Sequence, residues 1–347
     1  MKVVCIDPRT SPLWQTLVVK TESSVFHSPS WIKVLTDTYG WEASAYVIVD
    51  EAGEPCAGIP LCRIADMFGE RIVALPFSDY CDPLIRDAES WRVLIEKLLP
   101  EQVPITLRCL HNDVPLSDKR FSLVKQAMWH RLDLRPDLEV LWKTMHDSTH
   151  RAIRKSEREG LTVRMAESEP ELRVFFEMHL KIRKYKYGLL AQPYSFLQNI
   201  WRHFVEPQHG FLMLAIHEDK IVAGDFFLEW KDTLYYKFNA SLHDDLSHRP
   251  NDLLIWHGIQ EGKKRGLTYL DFGLSDIDQE GLIRYKRKFG AEEKTISFLN
   301  HSPNGGPTRA QKEMKELLGK LTARFTDHMV PDQITEKAGE DLYRLFS

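Results

Sequence analysis

Two stretches far apart in the chain run the same way. "VIVDEAGEPCAGIPL" (residues 47–61) and "LAIHEDKIVAGDFFL" (residues 214–228) each read as an apolar strand, an acidic turn, and a second strand carrying Ala-Gly. Around each echo the same order of elements recurs. In the first half "SPSWIKVLTDTYG" is a capped helix stopped at Gly40, "RIVALPF" a further strand, "AESWRVLIEKLL" an amphipathic helix and "VPITLRCL" a strand. In the second, "SEPELRVFFEMHLKIRKYKYG" is a helix with Ser168 and Glu171 as a capping box and Gly188 as its stop. The meander "FLMLAIHEDKIVAGDFFLEWKDTLYYKFNAS" follows, with turns at Glu218–Lys220 and Lys231–Thr233. A helix over "RPNDLLIWHGIQEGKKRG", capped by Asn251, then leads to the strands "LTYLDFG" and "TISFL". Helix, meander, helix, strand, twice over, implies an internal duplication. Its joint is expected within "RPDLEVLWKTMHDSTHRAIRKSEREG".

A chain of 347 residues has the length for two ordinary domains. Domains are expected at 1–145 and 146–305, with a helical tail at 306–347 packing back on the body. The net charge of −4 argues against wholesale coating of nucleic acid, and no DNA partner is expected. Five cysteines without a C-x-x-C spacing read as reduced thiols, which fits a cytoplasmic protein. No apolar run approaches the ~18 residues of a membrane span. Membrane association, if any, is expected to be peripheral, through a lipid-linked substrate.

"DFGLSDIDQEGLIRYKRKFG" (residues 271–290) carries the densest chemistry. A carboxylate, Asp271, stands at a strand end, with Tyr269 and Gly273 on its face and Leu270 and Phe272 on the other. An acidic turn follows. Arg284, Arg287 and Lys288 then share one helical face, with Lys286 on another beside Tyr285. An ammonium there can stabilise an oxyanion, and Asp271 can orient or deprotonate an attacking amine. The blander readings are a solvated basic helix, on which an exposed lysine is cheap to truncate, and a strand-end Asp bonded to backbone N–H groups. Asp225, in "AGDFF", shares a strand face with Phe227 and Glu229 and is directed to solvent or a cleft.

Four other places offer binding groups. Arg183 and Tyr187 are helical neighbours suited to a phosphate or carboxylate. In "LYYKFNAS" strand alternation puts Tyr236 with Phe238 and Ala240, and Asn239 on the opposite face with Tyr235. "LPFSDYCDPL" is a polar loop containing Asp82. Arg151, Arg154, Lys155 and Arg158 form a basic stripe, read either as a solvated helix shell or as an RNA or phosphate contact. His146 and His150 stand four apart but across a helix cap, so no metal site is expected.

The order and spacing of "STHRAIRKSEREGLTVR", "IRKYKYG", "YYKFNAS", "LTYLDFG" and "GLIRYKRKFGAE" resemble the Fem-type (FemABX-like) peptidoglycan-bridge aminoacyltransferases. These form a branch of the GNAT acyltransferase superfamily, whose relatives also serve exopolysaccharide synthesis. The resemblance spans roughly residues 25–300. It implies an α/β (α+β) fold of tandem GNAT-like domains, each a mixed, largely antiparallel sheet with flanking helices. It also implies a transferase that moves an activated acyl or aminoacyl group onto an amine of a cell-envelope or polysaccharide precursor. Lys286, Asp271 and Tyr285 would be catalytic, and Arg183, Tyr187, Tyr236, Asn239 and Asp82 would bind substrate. No cofactor stays bound. The co-substrate would be aminoacyl-tRNA or an acyl thioester. The Gly-rich pyrophosphate loop of acetyl-CoA enzymes is missing before the 251–265 helix, where "HRPNDLL" stands, and this disfavours acyl-CoA. Two alternatives remain: an acyl-CoA-dependent N-acetyltransferase, and a non-catalytic nucleotide-sugar or RNA binding protein on the same scaffold.

Overall fold

The computed structural model describes residues 2–303 and 305–347. The chain divides into two compact units. Unit one comprises residues 1–127, 295–319 and 344–347, and unit two residues 128–294 and 320–343.

Unit one opens with β1 (Lys2–Ile6), α1 (Pro12–Lys20), α2 (Pro29–Tyr39), β2 (Glu42–Val49), β3 (Pro55–Asp66) and β4 (Gly69–Val73). It continues through α3 (Ala88–Leu98) and β5 (Ile105–Cys109). α2 has the anticipated ends: Ser28 accepts the Trp31 N–H, and Gly40 takes a left-handed φ of 69°. The strand read over "RIVALPF" stops at Val73, because Leu75 and Phe77 both adopt positive φ around Pro76. β6 (Ser122–Asp133) begins in unit one and ends in unit two.

Unit two then builds α4 (Leu138–Thr144), α5 (Asp147–Arg158), β7 (Thr162–Met165), α6 (Glu169–Lys181), α7 (Tyr194–Ile200), β8 (Gly210–His217), β9 (Lys220–Trp230) and β10 (Thr233–Ser241). After these come α8 (Pro250–Lys264), β11 (Tyr269–Asp276) and α9 (Glu280–Arg287). β12 (Glu292–His301) returns to unit one, followed by α10 (Arg309–Phe325) and α11 (Asp332–Leu342). Among the described residues, no helix is long and apolar enough to cross a membrane.

The strands of the two units repeat one order. In unit one it is β1-β2-β3-β4-β5-β12, and in unit two β7-β8-β9-β10-β11-β6. Corresponding strands pair alike. β2–β3 and β8–β9 are antiparallel hairpins, while β4–β5 and β10–β11 are parallel. Each unit is therefore a mixed, largely antiparallel sheet with helices against it. The last strand of each sheet is exchanged: β6 follows β5 in the chain but completes the sheet of unit two, and β12 follows β11 but pairs with β5.

The Ala-Gly echo has a packing cause. A Cβ on Gly58 would stand 2.8 Å from Leu17 and 3.1 Å from Trp14, both in α1. A Cβ on Gly224 would stand 2.8 Å from Phe175 in α6. In both halves a helix lies so close on the second meander strand that only glycine fits beneath it.

Three local expectations need correction. Ser168 makes no side-chain cap; Glu171 instead accepts the Glu167 N–H at 2.7 Å, one residue earlier. Asn251 is not the cap of α8, which begins at Pro250 after Arg249 in left-handed conformation. Both faces of β11 are covered, so Leu270, Asp271 and Phe272 are all buried and alternation does not set a polar face against an apolar one. The last helix, α11, and the residues leading into it tie to α6 and the turn after it through charge. Arg173 makes a bidentate pair with Glu336 at 2.7 Å, and buried Lys184 donates to Asp332 at 2.9 Å and to the Val330 carbonyl.

Candidate functional site

Between β9 and β10 the register shifts at Lys237, so that Tyr236 faces Phe227 while Asn239 faces Asp225. The bulge changes the parity of the strand. Tyr236 and Asn239, which strict alternation separates, therefore share one face with Phe227 and Asp225. Phe238 turns to the other face, against His179 of α6 and Phe196 of α7. On the first face Tyr236 packs on Phe227 and Phe272.

Asp225 is completely buried, contrary to the expectation of a solvent or cleft position. Its Oδ1 accepts from Asn239 Nδ2 at 2.6 Å, and its Oδ2 has no hydrogen-bond partner. Burial pushes its pKa up to about 8, against the smaller opposing effect of the Asn239 bond. Asn239 also approaches Asn251 Oδ1 at 3.3 Å, at the start of α8. The next residue, Asp252, is raised by burial to about 6, with Lys288 and Arg249 pulling the other way. Tyr236 and Tyr285 are both shifted far upward, first by burial and then by the charges of Asp225 and Asp252. The Tyr285 hydroxyl is enclosed and has no hydrogen-bond partner. Two carboxylates and two phenols thus converge among β9, β10, α8 and α9. Asp252 carries no motif and escaped the sequence reading; its place in the first turn of α8, under the Tyr236 strand, was the available signal.

A second group lies at the end of β11. Asp271 Oδ1 accepts the Gly273 N–H at 2.6 Å, and Lys286 Nζ donates to the Gly273 carbonyl at 3.0 Å and the Leu274 carbonyl at 2.9 Å. Gly273 has φ of 67°, which only glycine adopts freely. The acid and the base therefore grip one left-handed residue from its two sides. Lys286 is only 3% exposed, so the picture of a solvated lysine on a basic helix does not hold. Its burial places a positive charge close to His130, whose pKa falls to about 4, chiefly through its own burial and then through that charge.

The remaining candidates are more dispersed. α6 passes into a π turn over Ile182–Lys186, where Arg183 donates through Nε to the Leu190 carbonyl at 3.0 Å. Tyr187 is half exposed. Asp82 lies in unit one, where its Oδ1 collects the N–H groups of Leu110, His111 and Asn112 at 2.8–2.9 Å. That carboxylate braces a loop of unit one. In the basic stripe, Lys155 donates to the Ser247 carbonyl at 2.7 Å, and Arg154 lies over the Trp142 ring. His146 caps α5 and His150 bonds the Trp142 carbonyl. All five cysteines are free, three of them buried.

Residues 144–287 match the family described as acetyltransferase (GNAT) domain. That segment of the chain is a GNAT domain. It contains every residue of the two groups just described except His130 and Lys288. No curated protein sequence matches the chain. Among solved structures, FemX superposes with a TM-score of 0.66 at 13% identity, over 86% of this chain and 97% of its own. L-PGS from Bacillus licheniformis gives 0.56 at 14% identity, over 93% and 99%. A tandem GNAT protein from the clavulanic acid biosynthesis pathway gives 0.56 at 11%, over 88% and 99%. At such identities the likeness is one of fold, and it extends well beyond the GNAT domain to both halves of the chain.

Proposed function

We propose that the chain is an acyltransferase of the Fem-like kind, moving an activated acyl or aminoacyl group onto an amine of a cell-envelope or polysaccharide precursor. The observation that carries this reading is Asp225: a carboxyl in a GNAT domain, buried, its pKa raised to about 8 by that burial, with one oxygen unpartnered beside two phenols. A group poised near the working pH is suited to take a proton from an attacking amine. The amine nitrogen then bonds to the acyl carbonyl carbon, and the bond from that carbon to the donor's oxygen or sulfur breaks. Asp225 receives the amine proton, and the Tyr285 hydroxyl, enclosed in the same cluster, is the donor to the leaving atom. Lys286 contributes a buried positive charge that favours the oxyanion. Asp271 and Lys286 together hold the Gly273 backbone on which the end of β11 turns. Asn239 sets the Asp225 carboxyl, and Tyr236, Arg183 and Tyr187 supply contacts to the acceptor.

For the donor, aminoacyl-tRNA or a non-CoA thioester fits the start of α8 better than acyl-CoA does. A pyrophosphate cradle needs approachable backbone N–H groups at a helix N-terminus. Here Arg249 is left-handed and Pro250 has no N–H to offer. The deciding experiment offers charged tRNA and a panel of acyl-CoAs, with UDP-sugar and amino-sugar acceptors, and reads consumption by mass spectrometry. Consumption of a charged tRNA supports the reading. Consumption of acyl-CoA alone moves the chain to the N-acetyltransferases. Tight acceptor binding without turnover of any donor makes it a binding protein, and the mechanism above fails.

A further inference from the structure

The β8–β9 hairpin and the segment leading into α8 bring three ligand-type side chains together within unit two. His217 closes β8, Asp245 stands before the short turn Leu246–His248, and His248 ends it. One ligand atom from each lies within 4.8 Å of the other two. His217 Nδ1 is 3.9 Å from an Asp245 carboxylate oxygen, and the two imidazole centres are 4.4 Å apart.

An ordinary surface ion-pair cluster would explain proximity. It would not explain how the group is held. Glu159 at the end of α5 accepts from His248 Nδ1 at 2.8 Å. A carboxylate there puts the ring proton on Nδ1 and leaves the Nε2 lone pair bare, the arrangement that orients metal-bound histidines. The backbone bearing His248 is pinned as well. Ser156 Oγ donates to the His248 and Arg249 carbonyls at 2.7 and 2.9 Å, and Lys155 Nζ donates to the Ser247 carbonyl at 2.7 Å. His217 is fixed by its pairing with Lys220 across a tight turn in which Glu218 and Asp219 both take positive φ. Ligand positions set by braced backbone, with half-buried side chains open to solvent, are what an ion needs for entry and capture.

We propose that His217, Asp245 and His248 form a binding site for a divalent transition-metal ion of the zinc class, with Glu159 as the positioning residue behind His248. Two imidazole nitrogens and one carboxylate oxygen suit zinc rather than calcium or magnesium, and three protein ligands leave a fourth position for water. Zinc ligands sit ~2.0–2.2 Å from the ion, so the three atoms must draw together by about an ångström. Rotation of the His217 and Asp245 side chains supplies that movement. Lys220, 3.7 Å from the second Asp245 oxygen, is a competing cation on a largely exposed side chain.

The test uses the full chain, stripped of metal and dialysed against ZnCl2 or CoCl2. One ion per chain is expected, with the strong visible absorption of four-coordinate Co2+. His217→Ala and His248→Ala should each weaken binding at least about tenfold, and Glu159→Gln by about 10–100-fold. Lys220→Ala should tighten it. Asp245→Asn keeps the side-chain shape and serves if an alanine variant does not fold. Absence of saturable one-to-one binding overturns the site. So does a His217→Ala/His248→Ala double variant, with unchanged circular dichroism, that binds within twofold of the parent. None of these readouts depends on acyl transfer.

Discussion

Asp225→Asn tests the reasoning about the buried carboxyl most directly. In the unfolded chain an aspartate titrates near the ordinary 3.8, whereas in the fold burial moves Asp225 to about 8. Between those values the folded protein holds one proton more than the unfolded chain. Stability therefore falls with pH by ~1.4 kcal/mol per unit. The contribution is fully present below the unfolded value and is lost once pH has risen through about 8. Over the window the loss amounts to roughly 6 kcal/mol, a large part of a typical ~5–15 kcal/mol stability. Asparagine has the same shape and no charge to desolvate. Its carbonyl can still accept from Asn239, and its amide stands where Oδ2 already lacks a partner. Urea denaturation of both proteins from pH 4 to pH 9 reads the difference, in which other titrating groups cancel. The two should be nearly equal at pH 4, and the variant should gain steadily to several kcal/mol by pH 8. Parallel curves would show that the carboxyl reaches water or a counter-charge, and the argument for a base poised near neutrality would collapse. In the transfer assay the same variant should retain acceptor binding and lose kcat.

Lys286→Met removes the buried ammonium that donates to the Gly273 and Leu274 carbonyls, so a stability loss of ~1–3 kcal/mol by denaturant midpoint should accompany the loss of transfer. Asp82→Ala should cost about 2–4 kcal/mol, since three backbone N–H groups lose one acceptor, with the acceptor KM unchanged. Gly258→Ala puts a methyl 2.5 Å from the Phe227 ring under Tyr236, and thermal melting should show a loss of ~1–3 kcal/mol. Calorimetry with CoA and acetyl-CoA should give dissociation constants no tighter than about millimolar, equivalent to only ~4 kcal/mol; micromolar binding at moderate salt would return the chain to the thioester-dependent enzymes.

The meander, its two turns and the repeated order were legible because strand period, turn residues and helix stops are local signals. The duplication read from one echo acquires a physical basis in Gly58 and Gly224, each roofed by a helix. What sequence could not supply was anything that depends on two elements meeting. The bulge at Lys237 joins Tyr236 to Asn239, and no residue type announces it. Asp225 and Asp271 look like carboxylates leaving an apolar strand, but cover on both sheet faces buries them. Lys286 was separable from Arg284, Arg287 and Lys288 by helical spacing. That spacing could not say that its own face turns inward onto β11.

The exchanged closing strands bear on how the molecule is made. On the ribosome, β5 emerges with β4 already made but long before its other partner, β12, because Cys109 must wait for Ser297. At ~5–20 residues per second that delay lasts about 10–40 s. Throughout it the nascent first half presents an open sheet edge, which is a template for wrong pairing. A gene cut between the halves would make the delay permanent in both fragments. Each should then be insoluble when expressed alone and recover on co-expression, the two halves serving as each other's chaperones.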